Sequence, residues 1–147
     1  MTRVLVMNGP NLNLLGTREP EIYGHTTLAE IEAGLRKLAT ELGFEIDFFQ
    51  SNHEGALIDR LHRRDFDWVI VNAGGLTHTS VSLRDALKGI ARPFVEVHIS
   101  DPDEREPFRH VNYLHDIAAE RIVGKGVAGY AMALRHIAGR TGREAAR

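Results

Sequence analysis

Short β-branched runs alternating with longer amphipathic ones constrain this chain more than any other feature. Residues 4–7, 46–49, 68–71, 94–99 and 122–123 are rich in Val, Ile and aromatics. The middle runs are almost continuously apolar, as strands covered on both faces are. Between them, Thr27-Leu28-Ala29-Glu30 has the spacing of a capping box, and Leu28, Ile31, Leu35, Leu38 and Leu42 follow at helical intervals until Gly43. Ser51-Asn52-His53-Glu54 repeats the box ahead of Ala56, Leu57 and Leu61, while residues 81–87 and 127–137 carry two further helical patterns. Strands alternating with helices specify an α/β fold, a parallel sheet with helices on both faces. About 150 residues suit a flavodoxin-like, doubly wound five-stranded sheet of order 2-1-3-4-5 better than a barrel.

At 147 residues the chain is expected to be a single domain over 1–147. The basic stretch 135–147 has few apolar anchors after Ile137, and about 140–147 is expected to be a flexible tail. The 18 Lys and Arg against 20 Asp and Glu leave a formal charge of −2, which predicts no nucleic-acid partner and no anionic membrane surface. The chain starts straight into a short apolar run broken at Asn8-Gly9-Pro10-Asn11, so no signal peptide is expected, and no run approaches membrane-helix length. A cytoplasmic location is the expectation. Cysteine is absent, which removes thiolate chemistry and leaves His, Asp and Glu as metal ligands. None of the eight His falls in a tight ligand spacing, so neither a metal nor a nucleotide cofactor is expected.

In a doubly wound sheet the residues just after each strand converge on the crevice at the carboxyl ends. After the first strand comes a long loop, residues 8–24, holding Asn11, Arg18 and Tyr23 among Gly16, Pro20 and Gly24. A Tyr acting as a base near neutrality needs a cation beside it, and Arg18 qualifies. Composition alone favours the plainer arrangement, Arg18 paired with Glu19 or Glu21 in solvent and Tyr23 on the surface. After the third strand come Asn72, Gly74, Gly75 and His78, and after the fourth His98, Ile99 and Ser100. Glu96 and His98 lie two apart on one strand and so share a face, where the carboxylate can charge and orient the imidazole as a general acid. A buried, satisfied polar pair is the alternative. The amides of Ile99 and Ser100, at an expected helix start, and Arg109 beyond can hold a carboxylate or a polyol, although Arg109 can also simply pair with Glu106.

Taken together these segments resemble the type II 3-dehydroquinate dehydratase family. The resemblance runs from Val4 to about Ile137. It is carried by residues 8–20 (NGPNLNLLGTREP) with Tyr23-Gly24, by residues 50–55 (QSNHEG) and 72–80 (NAGGLTHTS), and by residues 96–100 (EVHIS) with 105–109 (REPFR). It implies anti elimination of water from 3-dehydroquinate to 3-dehydroshikimate through an enolate, without cofactor or metal. Tyr23 would be the base with Arg18 promoting its ionisation, Asn11 would help hold the water at the enolate oxygen, and His98, oriented by Glu96, would be the acid. Asn72, His78, Ile99, Ser100 and Arg109 would bind substrate, joined by Asp85 from a neighbouring subunit. The family likeness also implies a homo-oligomer, a dodecamer of four trimers. Lys37, Lys88 and Lys125 lie outside the polar clusters, which agrees with a reaction that needs no Schiff-base lysine. One departure is His110-Val111-Asn112-Tyr113, where the family more often has His-His-Ser-Tyr, and it is expected to touch loop packing only. The competing reading is a flavodoxin-like binding or signalling module without catalysis. Asn72 stands where a receiver domain would need its phospho-accepting Asp, and Asn-Gly-Pro-Asn where an FMN carrier would need a hydroxyl-rich loop.

Overall fold

The apolar runs pair as five strands. In the computed structural model, which describes residues 1–142, β1 (Arg3–Asn8), β2 (Glu45–Gln50), β3 (Trp68–Asn72), β4 (Phe94–His98) and β5 (Glu120–Val123) form one sheet of order β2-β1-β3-β4-β5. Every neighbouring pair is parallel. Chain order reverses between β1 and β3, which opens a crevice beyond their carboxyl ends. The helices are α1 (Pro20–Tyr23), α2 (Leu28–Leu42), α3 (Glu54–His62), α4 (Val81–Gly89) and α5 (Ala128–Thr141).

The two-residue period of the strands sorts the core into two layers. Val4 and Val6 pack with Ile31, Leu35 and Leu38 of α2 and Tyr130, Leu134 and Ile137 of α5. Leu5 and Met7 face the other way, onto Leu57 and Leu61 of α3 and Leu83 and Leu87 of α4. Both faces of β1, β3 and β4 are therefore dry, and polar groups are concentrated at the strand ends, where the site lies.

The Thr27 capping box forms as its spacing predicts: Thr27 Oγ1 accepts from the Glu30 amide at 3.2 Å and Glu30 Oε1 from the Thr27 amide at 3.1 Å. Gly43 closes α2 at φ 76°. The second expected box does not form. Ser51 Oγ accepts from the His53 amide at 3.0 Å in a tight turn, so α3 starts only at Glu54, whose carboxylate accepts the Ser80 hydroxyl at 2.5 Å instead. The long first loop is not featureless: it contains a 3-10 turn over Leu12–Leu14 and the short α1 that carries Tyr23. Past β4 there is no α-helix start at Ser100. A 3-10 turn over Pro102–Glu104 follows, capped by Asp101 Oδ1, which accepts from the Asp103 amide at 3.0 Å. The expected tail is corrected at its start, since α5 stays helical through Thr141; from residue 143 onward it lies outside the described residues.

Candidate active site

The crevice is stitched together where the loops after β1 and β3 meet. The Gly9 amide donates to Asn72 O at 2.8 Å, and a Cβ on Gly9 would stand 2.5 Å from Ala73 O. Only glycine permits that approach. Beneath the junction the buried Tyr130 hydroxyl donates to Asn8 Oδ1 at 2.6 Å and accepts from Asn72 Nδ2 at 2.9 Å. Burial pushes the Tyr130 phenol up, so it stays neutral and remains a donor. Asn72 Oδ1 also accepts the Gly74 amide at 3.2 Å. Asn72 lines the crevice as expected, but its side chain is first a strut between elements, with one amide hydrogen left over.

Above this floor is a cavity of about 170 Å³ whose walls include Asn11, Arg18, Tyr23, Asn72, His78, His98, Ile99, Ser100, Arg105 and Arg109. Three separate post-strand segments thus converge on one cavity. Tyr23 faces it from α1, and the cation at its oxygen is not the one expected: Arg105 Nη1 donates to Tyr23 Oη at 2.7 Å. Arg18 lies over the ring face instead, 4.8 Å from the centroid. Sequence reasoning missed Arg105 as a site residue because it sits in the charged run 101–106, which reads as solvated surface. Its place shortly after β4 was the available signal.

Glu96 and His98 share the β4 face they were expected to share. His98 Nε2 lies 2.5 Å from Glu96 Oε2, and both side chains are buried. Burial pulls the Glu96 carboxyl upward, but the hydrogen bonds and charge of His98, the Asn112 amide at 2.6 Å and the charge of Arg121 together outweigh it. The carboxyl is therefore held below the usual range, ionised beside the imidazole. His98 Nε2 is occupied, which leaves Nδ1 for the cavity. Asn112 also accepts the Leu114 and His115 amides. The departure at this position therefore reaches the carboxylate itself and not loop packing alone.

The remaining expected residues divide. His78 Nδ1 meets Val111 O at 2.7 Å, so its Nε2 is the free ring nitrogen, and burial, assisted by the nearby His98 and Arg109 charges, holds the ring below its ordinary value. Arg109 lines the cavity while donating to Glu106 at 2.9 Å. Asn11 has left-handed backbone geometry at φ 70°, with its amide on Asn52 Oδ1 at 2.9 Å. Asp85 is exposed on α4 and is no part of this chain's cavity wall. No lysine lines the cavity. Among the described residues no three His, Asp or Glu side chains stand close enough to hold a metal ion, and no helix is long and apolar enough to cross a membrane.

A flavodoxin-like sheet here carries, on one small cavity, a buried carboxylate–imidazole pair and a guanidinium-bound phenol, groups of the kind that acid–base enzymes use. Comparison with known proteins is specific. A family model, dehydroquinase class II, matches residues 2–138. A catabolic 3-dehydroquinase of Aspergillus fumigatus is 56% identical over 137 residues, 92% of this chain and 91% of the relative. A 3-dehydroquinate dehydratase of Bordetella avium is 57% identical over 136 residues, 90% of this chain and 94% of the relative. Among solved structures, a type II dehydroquinase from Butyrivibrio crossotus superposes with a TM-score of 0.90 at 38% identity, covering 92% of this chain and 97% of that one. The chain belongs to the class II dehydroquinase family, whose members are hydro-lyases.

Proposed function

We propose that this chain is a 3-dehydroquinate dehydratase that removes water from 3-dehydroquinate by anti elimination through an enolate, giving 3-dehydroshikimate in the shikimate pathway. One observation carries the reading: in a class II dehydroquinase chain, a phenol bound by a guanidinium and an imidazole bound by a buried carboxylate open onto the same small cavity. The Tyr23 phenolate, stabilised by Arg105 at its oxygen and Arg18 over its ring, takes a proton from the carbon beside the ketone. The electron pair moves to the ketone oxygen, where a water held with the help of Asn11 stabilises the enolate. Collapse of the enolate expels the hydroxyl, which leaves as water with the proton that His98 supplies. Both groups then return to their starting states by exchange with solvent. Glu96 orients His98, and Asn72, His78, Arg109, Ser100 and the amides of Ile99 and Ser100 grip the carboxylate and hydroxyls. No step draws on a metal or an organic cofactor.

The reading extends to the whole chain as one catalytic domain, working in the cytoplasm as a dodecamer of four trimers. Asp85 and Val81 are both exposed, one turn apart on α4, and that face is the one we assign to the neighbouring subunit, with Asp85 completing its site. Sedimentation should give a mass near twelve chains, and a monomer would remove Asp85 from the mechanism.

The decisive measurement is ultraviolet absorbance of the conjugated enone carboxylate when metal-stripped protein meets 3-dehydroquinate. Wild type should form product. Tyr23→Phe, which keeps the ring and removes the acidic oxygen, should lose about 10³-fold or more in kcat. A folded wild type that forms no product overturns the reading, and a Tyr23→Phe variant as fast as wild type overturns the base.

A further inference from the structure

Glu96 is approached from three sides, and one approach comes from a residue to which the dehydratase reading assigns no role. In the sheet register Glu96 stands opposite Arg121 of β5, and in-register neighbours project to the same face. Arg121 Nε lies 3.7 Å from Glu96 Oε1. Both atoms are buried and neither has a hydrogen-bond partner, so the contact between them is one of charge, whereas Glu96 Oε2 already receives His98 and Asn112. The outer end of Arg121 reaches toward solvent, with Nη1 3.9 Å from Asp103 Oδ2.

We propose that Arg121 is a positioning residue for the general acid: it balances the Oε1 end of the buried Glu96 carboxylate so that Oε2 holds His98 Nε2 throughout the proton cycle. The physical need arises when His98 gives its proton to the leaving hydroxyl. At that moment Glu96 loses its cationic partner, and a buried carboxylate with only a neutral imidazole and an amide beside it is costly. A guanidinium cannot be deprotonated, so Arg121 keeps the carboxylate compensated in both halves of the cycle. Other groups facing this pair are His78 from the turn after β3, Arg109 and Asn112 from the segment after β4, and Asp103 behind Arg121. Of the charged ones, Arg121 alone meets the free carboxylate oxygen. The role, though not the contact, rests on the dehydratase reading.

The test uses the full chain as Arg121→Gln, Arg121→Lys and Asp103→Asn, each followed by kcat and KM against pH and by proton NMR of the downfield signal from the His98 Nε2–Glu96 bond. In Arg121→Gln, loss of a neighbouring positive charge favours the imidazolium, so the alkaline limb of the kcat profile should move up by about half a pH unit. At neutral pH kcat should fall about fivefold, with KM within about twofold, and the downfield proton should exchange faster with water. Arg121→Lys should restore most of each effect. Asp103→Asn, an exposed change, leaves the Arg121 charge undivided and should move the limb down by a smaller amount. If the limb and the NMR signal of Arg121→Gln match wild type while only its melting temperature falls, Arg121 is structural and the proposal is overturned. Should Arg121→Gln fail to fold, Asp103→Asn decides alone: a downward limb supports the role and an unmoved one overturns it. The NMR signal is read whether or not 3-dehydroquinate is turned over, so an inactive wild type with an Arg121-dependent signal would sink the dehydratase reading and leave the contact standing.

Discussion

Two guanidiniums reach Tyr23 and act on different parts of it. Arg105 donates to the oxygen at 2.7 Å, while Arg18 covers the ring face at 4.8 Å from its centroid. A charge-assisted hydrogen bond acts where the negative charge of a phenolate develops, and a stacked cation acts on the ring as a whole. Arg105→Gln is therefore expected to lower kcat about 10²-fold, and Arg18→Lys about tenfold, in steady-state assays. The reverse order would mean that Arg18 moves to the oxygen when substrate is bound. At this scale the sequence was legible for the pairing of Glu96 with His98 on one face of β4, and the family motif, though not composition, pointed to Tyr23 on the same crevice. It was not legible for Arg105, Asn112 or Arg121, because an Arg or Asn in a polar stretch looks the same whether it faces solvent or a buried carboxylate.

At the scale of elements, α5 does more than cover the sheet. Its Tyr130 ties Asn8 at the end of β1 to Asn72 at the end of β3, so the last helix holds the floor of a site built by earlier segments. Tyr130→Phe would keep the packing and orphan a buried carbonyl and a buried amide. It is expected to cost about 1–3 kcal/mol of stability in denaturant unfolding and to raise KM as Asn72 is released. The junction above that floor is equally intolerant. Gly9→Ala places a methyl 2.5 Å from Ala73 O, and about 2 kcal/mol of destabilisation with loss of turnover is expected. The contrast between the two expected capping boxes is instructive. Thr27 and Glu30 are followed by an unbroken apolar stripe and cap α2 as written, whereas Ser51 is still within the turn leaving β2, and Glu54 is drawn to Ser80 across 26 positions of sequence.

For the whole molecule, the carboxylates that bind its parts together set its response to acid. Burial opposes ionisation of Glu96, yet its partners hold it below the ordinary 4.5; Asp65, also opposed by burial, is held below 3.8 by Arg60 and Arg63. A group whose folded value is depressed contributes stability in full above its ordinary value and loses it as pH falls through the folded one. Calorimetry should therefore find a level melting temperature at neutrality, a first decline below roughly pH 6.5, where the depressed His78 begins to cost stability, and a steeper one below roughly pH 5 as the carboxylates protonate. Glu96→Gln should melt lower at neutral pH and decline less. An equally steep decline in that variant would place the acid sensitivity elsewhere.

What the sequence determined by itself is whatever depends on short-range geometry: a period of two or of 3.6, a capping spacing, a glycine stop, and polar residues placed just beyond apolar runs. These suffice for the strands and the main helices, and the βαβ alternation with the chain's length points to the doubly wound class whose 2-1-3-4-5 order locates the crevice. What only the tertiary structure decided is which atoms meet inside it. Arg105 and Tyr23 are 82 positions apart, Asn72 and Tyr130 58, and Asn8 and Tyr130 122. Such partners are chosen by strand register and by the paths of the loops, and those paths follow from the simultaneous packing of every element, which no local pattern contains.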